Sequence, residues 1–298
     1  MSWGEPPPGP VVLQPYDSPG HMFAPWFEYW RSLRREHYTS RGPVPRRRSA
    51  LVTIAQNESV FFPLWLRYYS QFFAAGDIYV LDHDTTDGSL DGGGFTRIPV
   101  SHETFDIRWM VGTMEAKQRE LLQSYDVVLV VDVDEIVTTA PGHGTLGDYL
   151  ERFDEEWVNC FGYELLHMKD SEPPFDPSRP VLEQRSTWFP NMIYDKPSIA
   201  TVPMSWEPGF HRRTDWHFNG DPDLRLIHLH RMDFEICKAR HRRWRERPWN
   251  ERDLEEGWGI HNRVTEDAEF ERWFYEDSAV ETIDLVPERI NPLWKGTV

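Results

Sequence analysis

The run Val127-Val128-Leu129-Val130-Val131 leads directly into Asp132-Val133-Asp134-Glu135, and that junction constrains the fold more than any other part of the chain. Five consecutive β-branched or leucine residues predict a strand buried on both faces, as in a parallel sheet covered by helices. Ligands of open α/β sheets bind beyond the carboxyl ends of the strands, and here that end turns abruptly acidic. Carboxylates at i and i+2, with a third adjacent, make a hard-oxygen site suited to Mg²⁺ or Mn²⁺. The alternative is a solvated turn, but three neighbouring acids repel one another unless a cation lies between them. A divalent ion at that edge is placed to bridge the diphosphate of a nucleotide.

The residues before the junction alternate between strand and helix patterns. Ser49 to Ala55 reads as an apolar strand, Val60 to Phe73 as a helix with Pro63 in its first turn, and Asp77 to Leu81 as a second strand. A polar turn, Asp82-His83-Asp84-Thr85-Thr86-Asp87-Gly88-Ser89, precedes a third strand over Phe95 to Val100 and a helix over Arg108 to Ser124. This order predicts an α/β domain with a nucleotide-binding sheet in residues 49–137. Residues 138–230 are richer in Trp, Pro and His, with short strands near Val158 to Leu166, Ser198 to Pro203 and Leu224 to His230. Residues 1–48, rich in Pro and Gly, predict an extended arm with a helix around Trp26 to Arg34, and residues 231–298 a charged helical extension.

A formal net charge of −17 argues against a nucleic-acid binder, which needs a basic footprint. It also disfavours broad attachment to an anionic membrane, although local basic clusters leave room for peripheral association. The two cysteines, Cys160 and Cys237, make no disulfide framework. With no signal-peptide pattern at the N-terminus and no transmembrane segment of ~18 apolar residues, the expected location is cytoplasmic.

The ordered signals Ala55-Gln56-Asn57-Glu58, then Tyr79-Val80-Leu81-Asp82 with Asp84, Asp87 and Gly88, then Asp132-Val133-Asp134-Glu135, resemble the family-2-like glycosyltransferases of GT-A fold. The likeness is to the branch with Asn-Glu after the first strand, and it covers roughly residues 50–231. It implies a GT-A-like mixed sheet with flanking helices, a nucleotide-binding half (49–137) and an acceptor half (138–230). The partners implied are a nucleoside diphosphate sugar donor and a glycan, lipid-linked or small-molecule hydroxyl acceptor. By this resemblance Ala55, Asn57, Glu58 and Asp82 hold the base and ribose, because base N–H groups and ribose hydroxyls donate to a fixed carboxylate. Asp132 contacts the donor's ribose or sugar and shares the Mn²⁺ or Mg²⁺ with Asp134, Glu135 supports them, and Lys196 reaches the diphosphate. Leu226-Ile227-His228-Leu229-His230-Arg231 puts two histidines on one side of a strand, and His228 or His230 supplies a late metal ligand, with His211 a third candidate. An inverting transfer needs a carboxylate base. Glu164, Asp195, Glu207 and Asp215 lie in the right half, and Asp195 and Glu207 are carried as the candidates.

Each residue has a plainer reading. Asn57 and Glu58 suit a helix start, Asp84 and Asp87 suit a turn, and single histidines are commonly just packed. Trp188, Trp206 and Trp216, near Phe189, Phe210 and Phe218, form either a sugar-stacking platform or core. The basic run Lys238 to Arg247 faces a phosphorylated ligand or a partner, or is a solvated face paired with Glu251 to Glu256. The expected activity is divalent-metal-dependent glycosyl transfer with inversion. The rivals are an inactive binding protein of the same fold and a sugar-phosphate nucleotidyltransferase, whose Gly-rich phosphate loop Ala55-Gln56-Asn57-Glu58 does not supply.

Overall fold

The computed structural model describes residues 46–276 and 287–298, so the expected N-terminal arm and its helix over Trp26 to Arg34 lie almost wholly outside the described residues. In chain order the elements are β1 (Ser49–Ala55), α1 (Phe61–Tyr69), β2 (Ile78–His83), β3 (Thr96–Val100), α2 (Ile107–Leu121), β4 (Val127–Val130) and β5 (Glu135–Thr139). They continue with α3 (Leu146–Arg152), β6 (Trp157–Leu166), α4 (Val181–Gln184), β7 (Thr187–Pro190), β8 (Ile199–Ala200) and β9 (Gly220–His228). Helices α5 (Phe234–Glu246), α6 (Glu251–Glu255) and α7 (Asp267–Tyr275) follow, and β10 (Glu288–Arg289) closes the list.

The strands form one mixed sheet in the order β10-β7-β6-β8-β4-β1-β2-β3, with β9 joined to β6 and β5 to β9. Its first half is parallel: β1 lies between β2 and β4, with Leu51 opposite both Ile78 and Leu129. That is the sheet expected of wholly apolar strands, and Val127 to Leu129 are completely buried. The short β8 pairs antiparallel with both β4 and β6, turning the parallel half into the mixed half.

Helix α1 covers one face through Phe61, Phe62, Trp65, Tyr68 and Tyr69, each worth roughly 1.5–3 kcal/mol of burial on the usual scale. Pro63 is tolerated because the N–H groups of a first turn have no intrahelical acceptor. The helix ends at Tyr69, four residues short of the expected Phe73, and its two tyrosines explain its position. Tyr68 Oη donates to Val137 O (3.0 Å), and Tyr69 Oη donates to Glu135 O (3.2 Å) while accepting from Val137 N–H (2.8 Å). Strand β5 is thereby held immediately after the acidic junction, which is a tight turn between two strands rather than a strand end opening into a loop.

The C-terminal segment is stitched to the carboxyl edge of the parallel strands. Asp233 caps α5 by accepting from the N–H groups of Glu235 and Ile236. Beyond α5, Phe105 N–H donates to Pro248 O (2.7 Å) and Asn250 N–H to Phe105 O (3.0 Å). Asp253 accepts from Ile107 N–H (2.7 Å), and Arg252 pairs with Asp106 (2.6 Å) at the start of α2. Among the described residues no helix is long and apolar enough to cross a membrane.

Candidate active site

A cavity of about 390 Å³ opens at the carboxyl ends of β1, β2 and β4, a size in the range of small-molecule sites. Its carboxylates are Glu58, Asp132, Asp134 and Glu135, and its permanent cations are Lys196, Arg240 and Arg247.

Strand register assembles its centre. In the antiparallel pairing of β5 with β9, Glu135 lies opposite His228, and Leu229 N–H donates to Asp134 O (2.7 Å). Asp134 is therefore brought beside both histidines: its Oδ2 is 3.2 Å from His228 Nε2 and 3.7 Å from His230 Nδ1. These three side chains, all buried, keep their ligand atoms within 4.8 Å of one another. Arg240 NH1 also ion-pairs with Asp134 Oδ2, while its Nε and NH2 reach Glu58 Oε1 at 3.1 and 2.7 Å.

The hydrogen bonds behind the histidines fix their tautomers. His241 Nδ1 lies 3.0 Å from Val264 O, which can only accept, so that nitrogen carries the proton. Burial pulls His241 down to about 3, so its ring is neutral and its Nε2 accepts. His230 Nε2, 2.9 Å away, must then donate. Burial, with Arg240 nearby, holds His230 well below its usual range, so its Nδ1 presents a bare lone pair towards Asp134. His228 Nδ1 lies 2.9 Å from Glu164 Oε1, the carboxylate–histidine pairing that orients metal-bound imidazoles. Burial opposes charge on His228, yet Glu164 and Asp134 outweigh it and raise the ring to about 10. Two histidines and one carboxylate converging in a buried cavity are donors of the kind that hold a divalent transition metal, and His228 would give up its proton on binding one. Glu58 adds a buried Oε2 with no hydrogen-bond partner among the described residues.

The other expected site residues are distributed unevenly. Ala55, Asp132 and Lys196 line the cavity. Lys196 Nζ lies between Asp132 (2.8 Å) and Glu135 (2.5 Å), which raise its pKa despite burial. Asp132 keeps a third of its side chain exposed, so of the four carboxylates it is the one open to a sugar hydroxyl. Asn57 has left-handed backbone (φ 57°) and accepts from Thr86 and Asp87 N–H (2.8 and 3.1 Å), which ties it to the loop after β2. Neither it nor Glu58 caps α1, whose N-cap is Val60. Asp82, expected to face a base, instead receives Arg97 Nε and NH2 (2.8 and 2.7 Å) and Thr85 N–H (2.9 Å), and does not line the cavity.

None of Glu164, Asp195, Glu207 and Asp215 lines the cavity either. Glu164 is committed to His228, and Asp215 to Arg213 (2.6 Å). Glu207 closes a short loop through its backbone. Asp195 accepts from Gly162 N–H (2.7 Å) beneath the sheet, and burial pushes it up to about 8. Its folded pKa lies above the ~3.9 of an unfolded Asp. Any stability it contributes is therefore complete below that value and is lost as pH rises towards 8. Asp195→Asn keeps the acceptor without the buried charge. It is expected to raise Tm at pH 8, leave it nearly unchanged at pH 4, and preserve turnover. A variant with intact Tm and no activity would return Asp195 to the chemistry.

Of the aromatic platform, Trp188, Trp206, Phe189 and Phe210 are core, while Trp216 and Phe218 are exposed. Arg240, Trp244 and Arg247 reach the cavity from the basic helix; the sequence marks the run Lys238 to Arg247 as a whole and does not distinguish these three within it.

No family model matches this chain, and no curated protein matches it. Among solved structures, the mannosyltransferase PcManGT from Pyrobaculum calidifontis, in complex with GDP-Man and Mn²⁺, is 14% identical over 76% of this chain and 71% of that one, with a TM-score of 0.37. An active-site mutant of LgtC is 17% identical over 40% of this chain and 47% of that one, at a TM-score of 0.23. The galactosyltransferase LgtC with donor and acceptor sugar analogues is 20% identical over 43% and 55%, at a TM-score of 0.21.

Proposed function

We propose that the protein is a glycosyltransferase that moves a sugar from a nucleoside diphosphate donor to a hydroxyl acceptor, using a divalent ion held by Asp134, His228 and His230. The observation that carries this reading is the convergence of Asp134, His228 and His230, all buried and with ligand atoms within 4.8 Å of one another, at the sheet edge where α/β proteins bind nucleotides. When bound, the ion would supply Lewis-acid stabilisation of the leaving diphosphate. The chain's own residues do the rest. Glu164 holds the His228 ring in place. Lys196, held by Glu135, keeps Asp132 at the cavity wall, where it can accept from a sugar or ribose hydroxyl. The segment from α5 through the loop after α6 walls the cavity with Trp244, Trp249 and Trp258.

The test is a thermal-shift panel of UDP-, GDP- and dTDP-sugars with Mn²⁺ or with EDTA. Stabilisation by one nucleotide, seen with Mn²⁺ and lost with EDTA, is the expected result, since a ligand at a hundred times its Kd adds ~2.7 kcal/mol. If no nucleotide shifts Tm in Mn²⁺, the reading fails. Binding without sugar release or transfer would make the protein a binder with a transferase-like fold.

A further inference from the structure

Helix α5 carries more positive charge towards the sheet edge than the ion pairs there use. Arg240, Arg243 and Arg247 are spaced three and four residues apart and so emerge on one face. Arg240 is committed to Asp134 and Glu58. Arg243 and Arg247 hold no ion pair among the described residues: they reach the loop carbonyls Asn57 O at 3.5 Å and Gln56 O at 3.4 Å, and the Arg247 Cζ lies 4.9 Å from the centroid of the Phe105 ring. Of the bases elsewhere on the helix, Lys238 pairs with Asp267 and Arg245 with Glu266, while Arg242 is exposed to solvent. Arg243 and Arg247 line a second cavity of about 200 Å³ with Gln56, Asn57, His83 and His102. It shares Gln56, His83, Phe105, Trp244 and Arg247 with the larger one. Its single acid, Glu103, is exposed. Burial draws Arg247 down to about 10; Glu58 opposes this, and Arg240 and Arg243 add to it. With Arg240 taken by Asp134 and Glu58, Arg243 and Arg247 are two neighbouring guanidiniums with no carboxylate bound to either among the described residues, and guanidinium forks match phosphate oxygens in pairs.

We propose that Arg243 and Arg247 form an oxyanion subsite that binds a phosphate or diphosphate group without a metal, beside the Asp134 centre. The subsite deepens the transferase reading and rests on it only for what the bound phosphate belongs to: the donor's own diphosphate, or a phosphate carried by the second substrate.

Inorganic pyrophosphate in EDTA is the probe, followed by calorimetry on the full chain. The wild type is expected to bind it, Arg243→Gln to bind it several-fold more weakly, and the Arg243→Gln/Arg247→Gln double variant at least tenfold more weakly. Arg245→Gln, on the outward side, should bind as the wild type does. Because Arg243 is exposed, its single variant serves even if the double variant folds poorly. No binding by the wild type, or an equal loss in Arg245→Gln, would overturn the proposal. Competition with UDP and GDP in EDTA separates the two sources. Displacement of pyrophosphate assigns the subsite to the donor, and simultaneous binding assigns it to a second, phosphorylated substrate. Because the readout uses neither metal nor turnover, loss of the subsite and loss of the transferase reading are distinct results.

Discussion

Arg240→Ala is expected to destabilise the protein by about 3–5 kcal/mol in metal-free buffer, the cost of breaking a buried ion pair from one side. The guanidinium bridges Glu58 and Asp134, both nearly inaccessible to solvent. It is also stacked on Phe61 and Trp244, with its Cζ 4.4 and 4.2 Å from the ring centroids. Without it two carboxylates remain buried with no permanent cation between them. Burial already pushes Glu58 upward, and Arg240 is its main compensation. Mn²⁺ should restore part of the loss, because an ion on Asp134, His228 and His230 replaces the missing charge and stabilises by mass action. Urea unfolding of wild type and variant, each in EDTA and in Mn²⁺, reads both effects. A loss below ~1 kcal/mol would show that the two acids are solvated or protonated in the native state. A loss unchanged by Mn²⁺ would mean that Asp134 belongs to Arg240 and holds no metal.

That dependence on Arg240 marks where sequence reasoning ends. The parallel half of the sheet was legible because β1, β2 and β4 are apolar runs bounded by polar turns, and burial on both faces leaves little choice of fold. The pairing of Asp134 with a late histidine was legible too, since an acidic turn and an alternating His228-Leu229-His230 strand each suggest a ligand. Which oxygen meets which nitrogen depends on the register of β5 with β9, and β5 was hidden because Glu135-Ile136-Val137-Thr138-Thr139 starts inside the acidic motif. Asp82 shows a contact between neighbouring strands that the sequence does not display. Its place at the end of β2 suited a base contact, but Arg97 on the neighbouring β3 lies within reach and takes the carboxylate first. Arg240 and Arg247 stood out in the sequence only as members of the basic run Lys238 to Arg247, for which a phosphorylated ligand, a partner and a solvated face were all open. Their distance of more than a hundred residues from Asp134 leaves no local pattern, and a run of bases on a helix suits a solvated face as well. Only the docking of Phe105 against Pro248 and Asn250, and of Asp253 on Ile107, turns that face inward.

Asp134→Asn is expected to lower turnover by ~10³-fold or more while leaving the fold in place. The substitution keeps the shape of the side chain and an oxygen that Arg240 can still engage, so its structural cost should be smaller than that of Arg240→Ala. It removes the negative charge at the point where His228 and His230 converge, and with it the strongest attraction for a divalent ion. Metal assistance to a leaving diphosphate is worth several kcal/mol, and ~4 kcal/mol corresponds to about a thousandfold in rate. Glu164→Gln provides the comparison, because Glu164 reaches the ion only through His228. Its loss should raise the Mn²⁺ needed for half-maximal activity by roughly 10- to 100-fold, as for other groups that orient a metal-bound histidine. At saturating metal its kcat should be nearly that of the wild type. Titrating Mn²⁺ against initial rates for the three proteins separates the roles. Wild-type rates from Asp134→Asn in Mn²⁺ would remove Asp134 from the metal site. A collapse of kcat in Glu164→Gln that added metal cannot repair would instead place Glu164 at the reacting atoms, as the base that the cavity wall otherwise lacks.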